Sequence, residues 1–297
     1  MYRAKSKGKA RYEVFDSRMH TQALKKLELE ADLRQAILQE QFLLHYQPIL
    51  SLESGEITGV EALLRWQHPK RGLLMPVDFL EVAEESKLIV PIGEWVLRVA
   101  CLQACEWHAA GYAGLCVSVN ISAHQFQDKK LPHLVKSILT ETGLLPQCLE
   151  VEITEQTAMQ DIDTTVRTLV DLSKVSVQIS LDDFGNGYSA LGYLKRFPVN
   201  SLKIDRSFVS EVTSNQDDAA ITSAIIAMAH VLDLKVIAEG VETEAQMRFL
   251  RDQHCDSIQG FLISRGLPAE EIECLLAERG VKQREGIPTP PAASGAA

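Results

Sequence analysis

The 297-residue chain lacks an apolar run long enough to cross a bilayer. Its longest uncharged, largely apolar stretch, residues 219–232, is about 14 residues, whereas a spanning helix needs roughly 20. A basic surplus is also missing: 30 Lys and Arg stand against 40 Asp and Glu, a formal net charge of −10. A chain that gripped a nucleic-acid polymer through its phosphates would show the opposite balance. The opening residues are basic (Arg3, Lys5, Lys7, Lys9, Arg11), yet no apolar segment follows them, so they do not read as a secretory signal. Zinc-type cysteine spacing is absent too. Of the six cysteines, Cys101 and Cys105 lie a helical turn apart with His108 a turn further on, and no fourth ligand is evident. Together with Cys116, Cys148, Cys255 and Cys274 they read as buried, reduced thiols, as expected in a cytoplasmic protein.

Apolar residues make up 46% of the chain and charged ones 24%, values usual for a globular protein able to bury a large core without disulfides. Strand-like runs recur at 42–48, 57–64, 115–121, 149–154, 177–181, 201–204, 235–237 and 257–261. Helical patterns fall between most of them, at 76–86, 90–110, 131–141, 163–174, 188–195, 217–232, 243–252 and 269–279. Repeated strand–helix units imply a largely parallel sheet. Eight of them between residues 41 and 283 favour an α/β fold of the (β/α)8 barrel type over an open sheet. The first two runs are joined by the short segment Leu52-Glu53-Ser54-Gly55, which suits an antiparallel pair, so the barrel is expected to begin irregularly. Residues 21–40 carry leucines at helical spacing and read as a connecting helix. Residues 1–20 have no core of their own, and residues 284–297, rich in Pro and small side chains, read as a disordered tail.

Polar residues stand where these apolar runs stop. They include Glu61, Asn120, Glu152, Asp182 with Asp183, Lys203 and Asp205, Glu239 with Glu242, and Gln259. In a parallel barrel the C-terminal ends of all strands open on one rim, so Glu61, Glu152, Asp182, Asp183 and Glu239 would converge there. Five bare carboxylates in one place repel one another and raise their pKa values. Divalent cations relieve that repulsion, and oxygen ligands suit Mg²⁺ or Mn²⁺, with paired ions serving phosphoryl chemistry.

Glu61-Ala62-Leu63-Leu64-Arg65 resembles the name-giving motif of the EAL-domain family, bacterial signalling phosphodiesterases that open cyclic di-GMP to linear pGpG. The likeness runs from about residue 32 to 282. It takes in Tyr46-Gln47-Pro48-Ile49, Asn120-Ile121-Ser122, Glu152-Ile153-Thr154-Glu155, the run DDFGNGYS from Asp182, Lys203-Ile204-Asp205-Arg206, Ala238-Glu239-Gly240-Val241-Glu242 and Gln259-Gly260-Phe261. It departs from the pattern only at Ala190 and Gly266, neither of them a proposed ligand. The resemblance implies a barrel with an antiparallel first strand, a cytoplasmic location, Mg²⁺ or Mn²⁺ as cofactor in a pair of ions, and a homodimer formed through this domain. Residues 1–16, with Met1-Tyr2-Arg3-Ala4-Lys5 and Phe15-Asp16, resemble the end of a GGDEF (diguanylate cyclase) domain. That likeness implies upstream GGDEF or sensory domains in a longer protein, with membrane tethering through segments outside this sequence left open. No membrane contact by the present chain and no nucleic-acid polymer as partner are expected.

The same resemblance assigns roles. Glu61, Asn120, Glu152 and Asp182 would be metal ligands, Asp182 bridging both ions and Asp183 binding the second. Glu239 would be either a second-site ligand or the group that activates water. Lys203 would hold the attacking water or phosphate oxygens. Gln47 and Arg65 would contact guanine and phosphate, with Asp205 and Gln259 also toward substrate. Glu242 would support the site, and Glu155 would anchor the loop after Asp183. Two other readings stand beside this one: a non-catalytic cyclic di-GMP receptor, and an unrelated barrel metalloenzyme acting on a sugar phosphate.

Overall fold

The structure, a computed structural model, describes residues 17–185 and 191–278. The GGDEF-like opening residues, the loop residues 186–190 and the expected tail 284–297 lie outside the described residues. Among the described residues, nine strands form one sheet: β1 (Phe42–Ser51), β2 (Ile57–His68), β3 (Gly72–Leu74), β4 (Cys116–Asn120), β5 (Leu149–Thr154), β6 (Gln178–Phe184), β7 (Ser201–Ile204), β8 (Lys235–Ala238) and β9 (Ser257–Gln259). Their order is β1-β9-β8-β7-β6-β5-β4-β2-β3. Pairing of β1 with β2 closes eight of them into a barrel and leaves β3 as a short ribbon on the far end of β2.

The direction of each strand follows from what joins it to the next. β1 and β2 are linked by a tight turn in which Gly55 takes φ 72°, a left-handed conformation that costs glycine little, and the two pair antiparallel from Phe42↔Trp66 onward. β1 is antiparallel to β9 as well. From β2 through β4 to β9 each successive pair is parallel, because helices carry the chain back outside the barrel. The helix Ile89–Ala109 shows the pattern: Ile92, Val96, Leu97, Ala100, Cys101, Ala104 and Trp107 form one buried stripe against the strands. Trp107 meets Tyr46 of β1 edge-on at 4.8 Å between ring centres. The connecting helix, Ser17–Leu38, starts earlier than the leucine pattern suggests and packs Leu29, Leu33 and Ala36 inward. None of the helices among the described residues is long and apolar enough to cross a membrane.

Several short elements escape a periodicity reading: β3, and the helices Ala123–Phe126, Glu155–Gln160 and Arg206–Ser210. Each is too brief to display a period. β2 runs on to His68, since both β1 and β3 give it partners there, so Glu61 sits in the middle of a long strand rather than at its end. β9 stops at Gln259, leaving Phe261 beyond it. Cys101, Cys148 and Cys255 are buried as expected, whereas Cys105 and Cys116 are partly exposed and Cys274 is exposed.

Strand alternation decides what fills the barrel. Residues of one parity, Val117, Val119, Val151, Ile153, Ile179, Leu181, Leu202 and Ile204, are buried and apolar. The other parity is polar: Ser118 and Asn120, Glu150 and Glu152, Ser180 and Asp182, Ser201 and Lys203. Low in the barrel the Glu150 carboxylate accepts hydrogen bonds from Ser118, at 2.9 Å, and from Ser201. The groups two residues further along each strand make the mouth.

Candidate active site

Lys203 stands at the centre of the mouth with no solvent exposure. Its ammonium nitrogen lies 2.7 Å from Glu239 Oε1, 2.9 Å from Glu152 Oε2, 3.2 Å from Glu61 Oε2 and 3.9 Å from Asp182 Oδ1. Four strands, β2, β5, β6 and β7, and the residue after β8 supply these side chains. Asn120 Nδ2 donates to Glu61 Oε1 at 2.6 Å, and Gln259 Nε2 donates to Glu61 Oε2 at 2.6 Å and to Gln47 Oε1 at 3.1 Å. Gln47 in turn donates to the Ser264 carbonyl at 3.1 Å.

A break in the β6–β7 register between Leu181 and Phe184 falls at two adjacent carboxylates, of which Asp182 reaches toward Lys203 and Asp183 stands at the exposed rim beside it. Asp183 takes φ 54°, a conformation non-glycine residues rarely adopt, and Asp182 Oδ1 accepts from its backbone N–H at 2.8 Å. Strain of this kind persists only where neighbours enforce it. Here Glu155 Oε2 accepts from the Gly185 N–H at 3.0 Å, two residues past Asp183. Gly185 itself has φ 104°, and a Cβ there would meet the Phe208 ring at 2.6 Å. Asp205 caps the helix Arg206–Ser210 by accepting from Ser207 N–H at 2.8 Å, and its carboxyl is also hydrogen-bonded to Asp183.

Burial and charge compete over the protonation of these groups. Burial drives the Glu152 carboxyl well above the usual range, since Lys203 offsets only part of the loss of water and the neighbouring carboxylates add to it. Burial raises Asp182 as well, pushes Asp183 up to about 6 with help from Asp182 and Asp205, and pushes Glu239 up to about 7. Burial acts on Glu61 in the same sense, but Lys203, Gln259 and Asn120 outweigh it and hold that carboxyl below its ordinary value. For Lys203, burial favours the neutral amine, yet four surrounding carboxylates overcome it and keep the ammonium charged.

The donor set suits a hard divalent cation. Ligand oxygens of Asp182, Asp183 and Glu239 all lie within 4.8 Å of one another. Glu152 Oε1 is fully buried with no hydrogen-bond partner, a costly state for a carboxylate oxygen and one that a cation would relieve.

A cavity of about 880 Å³ opens over these groups, within the usual range of ligand sites. Gln47, Glu61, Asp182, Glu239, Glu242 and Gln259 line it. Arg65 does not: it is buried, gives its guanidinium to the neighbouring Leu64 carbonyl at 2.8 Å, and leaves Nε without a partner. Residues with no assigned role also line the wall, among them Arg206, Ser207, Glu211 and Phe261. Phe261 is half exposed, with the Arg265 guanidinium 4.0 Å from its ring centre. An aromatic directly after a strand-end Gly was the available signal for it.

The EAL domain model matches residues 30–266. The chain belongs to the EAL-domain family. It is 50% identical over 272 residues to the bifunctional diguanylate cyclase/cyclic di-GMP phosphodiesterase MucR of Pseudomonas aeruginosa, covering 92% of this chain and 40% of that protein. It is 38% identical over 273 residues to the cyclic di-GMP phosphodiesterase PdeR of Escherichia coli, covering 92% of this chain and 41% of that one. A solved structure described as "PaMucR Phosphodiesterase, c-di-GMP complex" superposes with a TM-score of 0.80 at 51% identity, over 82% of this chain and 99% of that chain. The chain thus spans well under half the length of these curated relatives.

Proposed function

We propose that this EAL domain is a phosphodiesterase that hydrolyses cyclic di-GMP to linear pGpG with the help of divalent cations, Mg²⁺ or Mn²⁺, in a pair. The observation that carries this reading is the convergence of Glu61, Glu152, Asp182 and Glu239 around Lys203, with Asp183 beside Asp182 and Glu239 and one carboxylate oxygen of Glu152 buried and unpartnered. The relatives named above support it, since their names give cyclic di-GMP as substrate and a phosphodiesterase activity.

Glu61, Asn120, Glu152 and Asp182 would hold one cation, and Asp182, Asp183 and Glu239 the other. When bound, the cations neutralise phosphate charge and acidify a water molecule. The chain's own groups do the rest. Lys203 is a fixed positive charge in a dry site, placed where negative charge grows during displacement at phosphorus. Gln259 and Asn120 lock the Glu61 carboxylate in one orientation, so no reorganisation is needed during the reaction. Glu239, beside Lys203 and on the cavity wall, is placed either to hold the second cation or to orient the attacking water. Gln47, Asp205 and Gln259 would face the nucleotide. Arg65 would need to turn away from Leu64 to reach a phosphate. A GGDEF domain upstream and a homodimer through this domain complete the proposed setting.

The test is product analysis after incubation with cyclic di-GMP and Mg²⁺ or Mn²⁺. Metal-dependent appearance of pGpG is expected, and Glu61→Ala is expected to abolish it while leaving the circular dichroism spectrum intact. Tight binding with unchanged ligand would make the domain a receptor instead.

A further inference from the structure

At the end of the barrel opposite the mouth, sulfur groups that the site does not use come together. Cys116 opens β4 and Cys148 is the residue before β5, and the pairing Val117↔Leu149 sets them side by side at the foot of neighbouring parallel strands. Adjacent strands run roughly 4.8 Å apart, inside the span of about 4.4–6.8 Å between the Cα atoms that a disulfide bridges. Cys116 Sγ lies 3.8 Å from the carbonyl oxygen of Gln147, the residue just before Cys148.

His108, in the last turn of the helix Ile89–Ala109, completes the group. Its Nε2 donates to the carbonyl of Leu115, the residue just before Cys116, at 2.8 Å. Cys105, a turn earlier, donates to the Thr142 carbonyl at 3.4 Å and faces Cys148, while Glu150 and Lys235 face Cys116. Cys148 is buried and Cys116 is partly exposed, which gives the pair an edge open to small solutes. The neighbouring Cys116 and His108 draw the Cys148 thiol down to about 5 despite its burial, whereas Cys116 is pushed up. A thiolate held beside a protonated thiol and an imidazole is the environment in which cysteines react.

We propose that Cys148 and Cys116 form a redox-active dithiol that hydrogen peroxide converts to an intramolecular disulfide. The Cys148 thiolate attacks one peroxide oxygen; the S–O bond forms, the O–O bond breaks, and the departing hydroxide takes up a proton. Cys116 then attacks the Cys148 sulfenic sulfur. The S–S bond forms, the S–O bond breaks, and the hydroxyl leaves as water with the proton of Cys116. Two thiols lose two electrons and two protons, and peroxide becomes two waters. The bridge would pin the foot of the two strands whose upper ends carry the paired residues Asn120 and Glu152.

The test is graded peroxide treatment of the whole chain, alkylation of the remaining thiols in denaturant, and mass spectrometry of a non-reduced digest. A peptide pair joined through Cys116 and Cys148, separated by dithiothreitol, is expected. In Cys116→Ser, Cys148 is expected to be trapped by dimedone as the sulfenic acid. Exposed Cys274 serves as the internal reference. If Cys116 and Cys148 remain fully alkylated at peroxide levels that oxidise Cys274, or if Cys148 joins another cysteine, the proposal fails.

Discussion

Lys203 has exchanged its water for four carboxylates, an arrangement that leaves surplus negative charge in a dry place. Replacing it by Met removes the only cation within 4 Å of Glu61, Glu152, Asp182 and Glu239 among the described residues. Lys203→Met is expected to cost about 3–5 kcal/mol of stability in chelator at slightly alkaline pH, the range for an uncompensated buried charge. The loss should shrink in acid, where the carboxylates take up protons; urea unfolding at two pH values checks this. The carboxyls of Glu239 and Asp183 carry a second expectation. Their folded pKa values, about 7 and about 6, lie above the ordinary 4.5 and 3.8, so the cation-free fold holds these protons more tightly than the unfolded chain does. Their contribution to stability is full below the ordinary values and is lost as pH rises through the folded ones. Melting in chelator should therefore fall between about pH 5 and pH 8, and fall less in Glu239→Gln. Added Mg²⁺ or Mn²⁺ should reverse the trend, because cations bind the deprotonated form. A melting point that ignores both pH and cation would contradict the site.

At the scale of elements, the connecting helix behaves as part of the domain. Leu29, Leu33 and Ala36 form its buried stripe, Asp32 Oδ2 meets the buried His68 at 3.2 Å, and Lys26 pairs with Glu85 on the helix Pro76–Glu85. Leu33→Ala is expected to lower stability by about 2–5 kcal/mol, as for other fully buried leucines, without altering cation affinity measured by calorimetry. A cost below about 1 kcal/mol would mean that the helix is only loosely attached. The long elements were legible in the sequence because each repeats its period several times, and the hairpin because its turn was too short for a crossover. The helices Glu155–Gln160 and Arg206–Ser210 were not, because their caps, Thr154 and Asp205, stand at or just past the ends of strands and read as their continuation. Strand-end carboxylates pointed to a mouth, yet Lys203 at their centre and the register break that sets Asp183 beside Asp182 depend on contacts between distant segments. The polar column of Ser118, Glu150 and Ser201 was equally hidden, since alternation shows two faces without saying which one lines a closed barrel.

For the whole molecule, a net charge of −10 and a carboxylate-rich mouth act against an approaching anion. With cation concentration held at saturation, association with cyclic di-GMP is expected to quicken as inert salt is raised toward physiological strength, because screening weakens the repulsion. Stopped-flow binding to Glu61→Ala would show it, and a rate that falls steeply with salt would reveal a basic surface not evident in the fold. The reversed run of β1 has a further consequence. Phe42, its first residue, pairs with Trp66, beyond Glu61 along β2, so the strand enters at the mouth end of the barrel. Had β1 run with the others, its incoming helix would have joined the base. Instead the helix Ser17–Leu38 arrives beside the mouth, and a twist or pull on that lever from a preceding module would be felt within a few residues of Gln47 and Glu61.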